Sequence, residues 1–170
     1  GAPSKQTKIE GTDLTLTSVT PTRTGYDFMG WSTSSSGSVE YRPGSKYTRD
    51  SSINLYAVWE LKKFSVYYYD SFSSSHIKLD NKSYGINYTL SYEPEKYGYK
   101  FLGWTTTSGS THINYETGDI LTDNCEYRLY AVWEKLPTYE VRYNLNGGYS
   151  SSSTSFSTQI KVHDYDLDLL

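Results

Sequence analysis

Apolar and polar residues alternate with a period of two in short runs along this chain, and no stretch sustains the spacing of an amphipathic helix. Residues 64–69, Phe-Ser-Val-Tyr-Tyr-Tyr, are aromatic and β-branched, as strands prefer. A short run Ile77-Lys-Leu79 follows, then a turn at Gly85, then residues 86–92 with Ile86, Tyr88, Leu90 and Tyr92 in alternation. Residues 97–105 place Tyr99, Phe101 and Gly103 on one face and Lys100, Leu102 and Trp104 on the other. At Gly103 the bare backbone is expected to let a neighbouring ring lie flat. After a polar loop containing Gly109 and a turn at 114–118, residues 128–133 close the pattern, with Leu129, Ala131 and Trp133 opposite Tyr130 and Val132. Asn144-Leu-Asn-Gly-Gly148 reads as a tight turn, because Asn146-Gly147 tolerates positive φ. The serine-rich tracts 70–75 and 149–154 read as loops.

The pattern occurs more than once. Gly25-Tyr-Asp-Phe-Met-Gly-Trp31 recurs as Gly98-Tyr-Lys-Phe-Leu-Gly-Trp104, 73 residues on, and Leu55-Tyr-Ala-Val-Trp-Glu60 recurs as Leu129-Tyr-Ala-Val-Trp-Glu134, 74 on. Residues 139–144, Tyr-Glu-Val-Arg-Tyr-Asn, restart the run seen at 64–69. Such a period marks an array of similar modules. We therefore divide the chain into a first module at 1–60 that lacks its opening strand, a complete second module at 61–134, and a linker plus the first half of a third at 135–170. Both ends are expected to continue into further copies. The joints Leu61-Lys-Lys63 and Lys135-Leu-Pro137 are too short to act as flexible coils. The copies differ by one residue between the Gly-Trp tryptophan and Tyr41 or Tyr115, which marks a surface loop, since an insertion within a strand flips every later side chain.

Composition narrows the class. The hydrophobic fraction is 36%, below the usual ~45–50%. Ser and Thr fill the difference, and 19 Tyr make up a large share of the hydrophobic count itself, as in small β modules with polar surfaces. The net charge of −3 and the absence of a basic cluster among the aromatics argue against a nucleic-acid partner. No apolar run reaches the ~18–20 residues of a membrane span, so no membrane insertion is expected. The lone Cys125 has no internal disulfide partner and reads as a small, half-buried strand residue.

Taken in order, Gly-Tyr-x-Phe-x-Gly-Trp, Tyr115 and Gly118, Leu-Tyr-Ala-x-Trp, Val-Arg-Tyr-Asn-Leu-Asn-Gly-Gly148 and Pro21-Thr-Arg-Thr-Gly25 strongly resemble the internalin B-type, or Listeria–Bacteroides, repeat. The resemblance covers nearly the whole chain. It departs at Tyr67-Tyr-Tyr-Asp-Ser71, where the Asn-Gly-Gly turn is missing, and at Glu93-Pro-Glu-Lys-Tyr97. It implies a mainly β to α+β fold of tandem small β-grasp-like (ubiquitin-like) modules with little helix, in extracellular arrays on bacterial surface proteins, adhesins and some phage structural proteins. It implies no catalytic residues.

The chemistry-bearing residues fit that implication. No phosphate loop, nucleophile elbow or zinc spacing occurs, and no catalytic, cofactor-binding or metal-ligating residue is assigned. His76, His112 and His163 occupy unmatched positions and read as solvent-facing. Asp164-Tyr-Asp-Leu-Asp168 reads as three carboxylates on one charged strand face. The paired tryptophans have two readings, a core or an exposed platform for glycan or peptide. We take the core reading, with Tyr26, Phe28, Trp31, Tyr56 and Trp59 in one copy and Tyr99, Phe101, Trp104, Tyr130 and Trp133 in the next, since each buried ring contributes up to ~3 kcal/mol. The remaining tyrosines, among them Tyr67, Tyr68, Tyr69, Tyr92 and Tyr97, exceed what a core can hold. Tyr67 and Tyr69 are the candidate binding surface.

The expectation is thus a non-enzymatic extracellular spacer or stalk on a bacterial surface protein, with weak multivalent contacts. Its expected partners are neighbouring repeats of the chain and host or cell-wall glycan or surface protein. Alternatives are a dedicated adhesin module for such a ligand and a phage virion component of tail, fibre or capsid.

Overall fold

Twelve β-strands and no helix make up the described part of the computed structural model, residues 3–148 and 158–169. The expected serine-rich loop at 149–154 lies outside the described residues. In order the strands are β1 (Leu14–Thr15), β2 (Tyr26–Ser32), β3 (Lys46–Tyr47), β4 (Tyr56–Leu61), β5 (Lys63–Tyr69), β6 (His76–Ser83), β7 (Tyr88–Thr89), β8 (Tyr99–Thr105), β9 (Ile120–Leu121), β10 (Tyr127–Lys135), β11 (Thr138–Val141) and β12 (Gln159–Val162). Residues 86–92, expected as one alternating strand, contribute only β7, and Ile86 is exposed. Cys125 lies exposed in a bend, not in a strand.

Two compact units form. Unit 1 comprises Gly1–Ser65, Asp80–Tyr88 and Thr122–Glu126, and unit 2 comprises Val66–Leu79, Thr89–Leu121 and Tyr127–Leu170. In unit 1, β2 pairs antiparallel with β4 and β1 with β3. Leu16, Trp31 and Tyr47 are its buried apolar residues, and the Tyr47 hydroxyl donates to Ser51 O at 2.8 Å.

Unit 2 carries a mixed sheet in the order β6-β5-β10-β8. Its central pair, β5 and β10, is parallel, and β10 and β8 are antiparallel. Val66, Tyr68, Leu90, Trp104, Leu121, Leu129 and Ala131 fill the core beneath it, and burying each large side chain contributes ~1.5–3 kcal/mol. Of the tyrosines too numerous for the core, Tyr68 is one that is fully buried, because alternation along β5 turns Val66 and Tyr68 inward together. The Tyr68 ring packs edge-on against Trp104, with centroids 4.9 Å apart. Where the Asn-Gly-Gly turn is missing, Asp70 organises the loop instead. Its carboxylate accepts from Phe72 N–H (3.2 Å) and pairs with Lys96 Nζ (3.1 Å), which lies 3.4 Å from the Phe72 ring centroid.

Neither β2 nor β8 keeps the simple alternation its sequence suggests. The β8–β10 ladder pairs Val132 with Gly103 but Trp133 with Phe101, so Leu102 is left over as a bulge. The β2–β4 ladder repeats this, pairing Val58 with Gly30 and Trp59 with Phe28. As a result Phe101 and Trp104 share a face, while Val132, paired with Gly103, is buried as well. Gly103 sits at φ +149, and a Cβ there would lie 2.7 Å from Ile113 and 2.9 Å from Tyr115 O. An aliphatic side chain and a backbone oxygen, not a ring, thus cover Gly103. The close-packed ring lies elsewhere: at Gly25, an added Cβ would meet the Tyr84 ring at 2.5 Å.

In the third segment β11 is shorter than the expected 139–144 strand and pairs with β12. The Asn-Gly turn has φ +45 at Asn146 and φ +87 at Gly147, closed by a 2.8 Å bond from Gly148 N–H to Leu145 O. The expected carboxylate-bearing strand at 164–168 is absent. Asp164 takes φ +61 in a turn, which interrupts any strand face, and its carboxylate lies 3.3 Å from His163 Nε2.

Candidate functional site

The clearest clustering of polar and aromatic groups on a surface lies on the outer face of the β5–β10 pair. Because Val66 and Tyr68 point inward, Tyr67 and Tyr69 point outward, and the parallel register sets Arg128 beside Tyr67 and Tyr130 beside Tyr69. Tyr69 stacks on Tyr130 with centroids 4.9 Å apart and planes 20° from parallel. Tyr67 lies 6.4 Å from Tyr69, and the His76 ring meets both edge-on at 5.4 Å and 6.3 Å. The Arg128 guanidinium sits 5.8 Å from the Tyr67 centroid. On β6, Lys78 turns inward with Nζ 4.6 Å from the Tyr92 ring, and the alternate residues Ile77 and Leu79 remain 42% and 45% exposed. Half-exposed rings edged by hydroxyls, a guanidinium and an imidazole can stack on a sugar ring or pack against a peptide. Among the described residues no group of three or more His, Cys, Asp or Glu side chains is arranged to hold a metal ion.

Each residue expected in the core can be placed. Trp31 and Trp104 are buried, while Tyr26, Phe28, Trp59, Tyr99, Phe101, Tyr130 and Trp133 are half-buried. Phe28 bridges Trp31 and Trp59 edge-on at 5.0 Å and 5.5 Å, and Phe101 bridges Trp104 and Trp133 at 5.0 Å and 5.6 Å. Tyr56 departs from its expected place. It is 43% exposed on the outer face, since Leu55 and Ala57 take the inward positions on either side of it. His76, His112 and His163 are exposed.

One recurrent feature escaped sequence reasoning. Asp50 pairs with Lys8 Nζ and accepts from Gly11 N–H at 3.1 Å, while Asn124 accepts from Lys82 Nζ at 3.3 Å and Gly85 N–H at 2.7 Å. The signal was the spacing Lys8-Ile-Glu-Gly11 repeated as Lys82-Ser-Tyr-Gly85. A second clamp recurs at the Gly-Trp loop. Glu40 accepts from Thr33 N–H (2.8 Å) and Ser32 Oγ (3.0 Å), and Asn114 from Thr106 N–H (3.0 Å) and Thr105 Oγ1 (3.1 Å). Bonds from the Thr33 hydroxyl and amide hold the Glu40 carboxyl below its ordinary range, and Lys8 and Gly11 do the same for Asp50.

The same repeat organisation is shared with known proteins. The model of the Listeria–Bacteroides repeat domain matches residues 1–58 and again 64–132. The chain belongs to that family. It is 34% identical, over 127 residues, to a protein of Evansella cellulosilytica provisionally named a Gly-rich membrane protein, an alignment covering 73% of this chain and 14% of that protein. A second protein of that organism, provisionally named a membrane protein, is 33% identical over 129 residues, 75% of this chain and 18% of the relative. The chain thus spans less than a fifth of the curated relatives it matches. No helix among the described residues is long and apolar enough to cross a membrane. No solved structure matches the chain significantly.

Proposed function

We propose that the chain is a non-enzymatic repeat region of a bacterial cell-surface protein, a semi-rigid spacer of β-grasp-like modules whose aromatic faces make weak, repeated contacts. The observation that carries this reading is a backbone clamp at each joint. Within unit 1, Lys62 N–H donates to Gly25 O (2.9 Å) and Lys62 O accepts from Tyr84 N–H (2.8 Å). Within unit 2, Leu136 N–H donates to Gly98 O and Pro137 O accepts from His163 N–H, both at 2.9 Å. A three-residue joint bonded on both sides has little of the freedom of a coil. The parallel central pair of the unit 2 sheet, flanked by antiparallel neighbours, supports the β-grasp-like topology. The relatives' names support a place at the cell envelope. The partners we propose are neighbouring repeats and, at the Tyr67–Tyr69 face, host or cell-wall glycan or protein.

Small-angle scattering on chains of two, three and four repeats tests the spacer. The maximum dimension should grow by a constant increment per copy. Growth as the square root of copy number, the behaviour of flexibly linked beads, would overturn it. A glycan and peptide array read out on Tyr67→Ser and Tyr69→Ser variants tests the contacts.

A further inference from the structure

One lysine of the second copy lacks the counter-charge that its equivalent has in the first. Lys8 pairs with the Asp50 carboxylate, and both side chains reach water, 11% and 45% exposed. Lys82 takes the same place, again 42 residues before its partner, but that partner is the amide of Asn124. Lys82 is only 1% exposed. Among the described residues its Nζ bonds to Asn124 Oδ1 (3.3 Å) and Ser83 O (3.5 Å), and to no carboxylate. A charge enclosed in this way is costly unless an opposite charge meets it.

The surroundings of the amide suit attack by that amine. Gly85 N–H donates to the same Oδ1 at 2.7 Å, which polarises the carbonyl and stabilises the negative charge the oxygen gains as an amine adds. Holding amine and amide in contact within one fold makes the addition intramolecular and greatly favours it.

We propose that Lys82 and Asn124 join in an intramolecular isopeptide bond. One ammonium proton passes to solvent, Nζ adds to Cγ, the Cγ–Nδ2 bond breaks, and a second proton leaves with Nδ2 as ammonia. No oxidant or cofactor takes part. The resulting neutral amide removes the buried charge and keeps Oδ1 as the acceptor for Gly85 N–H. The bond ties the end of β6 to the bend before β10, at two residues that both belong to unit 1. Lys8 and Asp50 stay an ion pair, because a carboxylate is a poorer acyl acceptor and already balances its lysine. Tension between the chain ends would pass through the new bond and bypass residues 83–123. That use rests on the spacer reading; the bond itself does not.

The test is mass spectrometry of the purified full chain, intact and after trypsin. The intact chain should be lighter than its sequence mass by one ammonia. Trypsin should leave Lys82 uncut and the Lys82 and Asn124 peptides joined. Lys82→Arg, which keeps the charge but cannot form the bond, should restore the full mass. Should that variant fail to fold, the tryptic map of the unsubstituted chain decides. Full mass with Lys82 cleaved, ammonia lost at another residue, or Asn124 converted to aspartate without a cross-link would each overturn the proposal. Scattering of the repeat series tests the spacer separately, so the two readings fail independently.

Discussion

Phe101 and Trp104 pack edge to face with ring centroids 5.0 Å apart, although three positions along a regular strand place side chains on opposite faces. The bulge at Leu102 and the φ of +149 at Gly103 bring them together. Phe28 and Trp31 repeat the pair at 5.0 Å around Gly30. The glycine of Gly-Trp is therefore the residue that lets a β strand present both rings to one core.

Gly103→Ala should destabilise the chain by about 1–3 kcal/mol from backbone strain, with more from crowding Ile113 and Tyr115 O. Gly118→Ala meets strain alone, at φ +97 with nothing within 4 Å of the added methyl. Urea titration of both variants should rank Gly103→Ala well below Gly118→Ala. Equal losses would contradict the bulge account.

Acid should release the Glu40 and Asp50 clamps and leave the Asn114 and Asn124 clamps in place. Glu40 and Asp50 have folded values below their ordinary 4.5 and 3.8, so their clamps are present above those pH values and are lost as pH falls through the lower folded values. The amides Asn114 and Asn124 do not titrate. Backbone NMR against pH should show Thr33 and Gly11 shifting below those pH values while Thr106 and Gly85 stay still. Glu40→Gln should remove the response at Thr33.

Leu129→Ala should cost about 2–5 kcal/mol, as for a fully buried leucine, and Leu55→Ala distinctly less, because its half-exposed site already borders a cavity. Hydrogen exchange, which reports each unit separately, is the appropriate measurement. A larger loss at Leu55 would show that the unit 1 cleft is closed in solution.

The outer aromatic face should show measurable coupling. A double-mutant cycle on Tyr69→Ala and Tyr130→Ala should give about 0.5–1.5 kcal/mol for the stacked pair. A coupling near zero would mean the rings are independent in solution and would weaken their use as a common platform.

Much of the secondary structure could be read from alternation. Residues 64–69 fall within β5, 128–133 within β10, and Asn146-Gly147 forms its turn, because β-branched and aromatic runs bounded by glycine leave few other choices. The errors have a common source. Alternation counts residues and cannot register one extra residue on one strand, so Trp104 was set on the face of Leu102 and not on that of Phe101. The candidate surface at Tyr67 and Tyr69 could be named from the excess of tyrosine. Arg128 and Tyr130 could not be joined to it, since the parallel β5–β10 pairing links positions about sixty residues apart.

Sequence alone determined that this chain repeats, that it is built of strands, and that its joints are short, because these follow from local residue types and spacing. Tertiary structure decided the rest, and Tyr56 and Tyr130 show why. They sit in identical hexapeptides, Leu-Tyr-Ala-Val-Trp-Glu, yet Tyr56 is 43% exposed and Tyr130 lies stacked under Tyr69. Burial is set by what the rest of the chain lays against a residue. Two identical stretches acquire different surroundings when β5 lies beside one of them and a cavity beside the other.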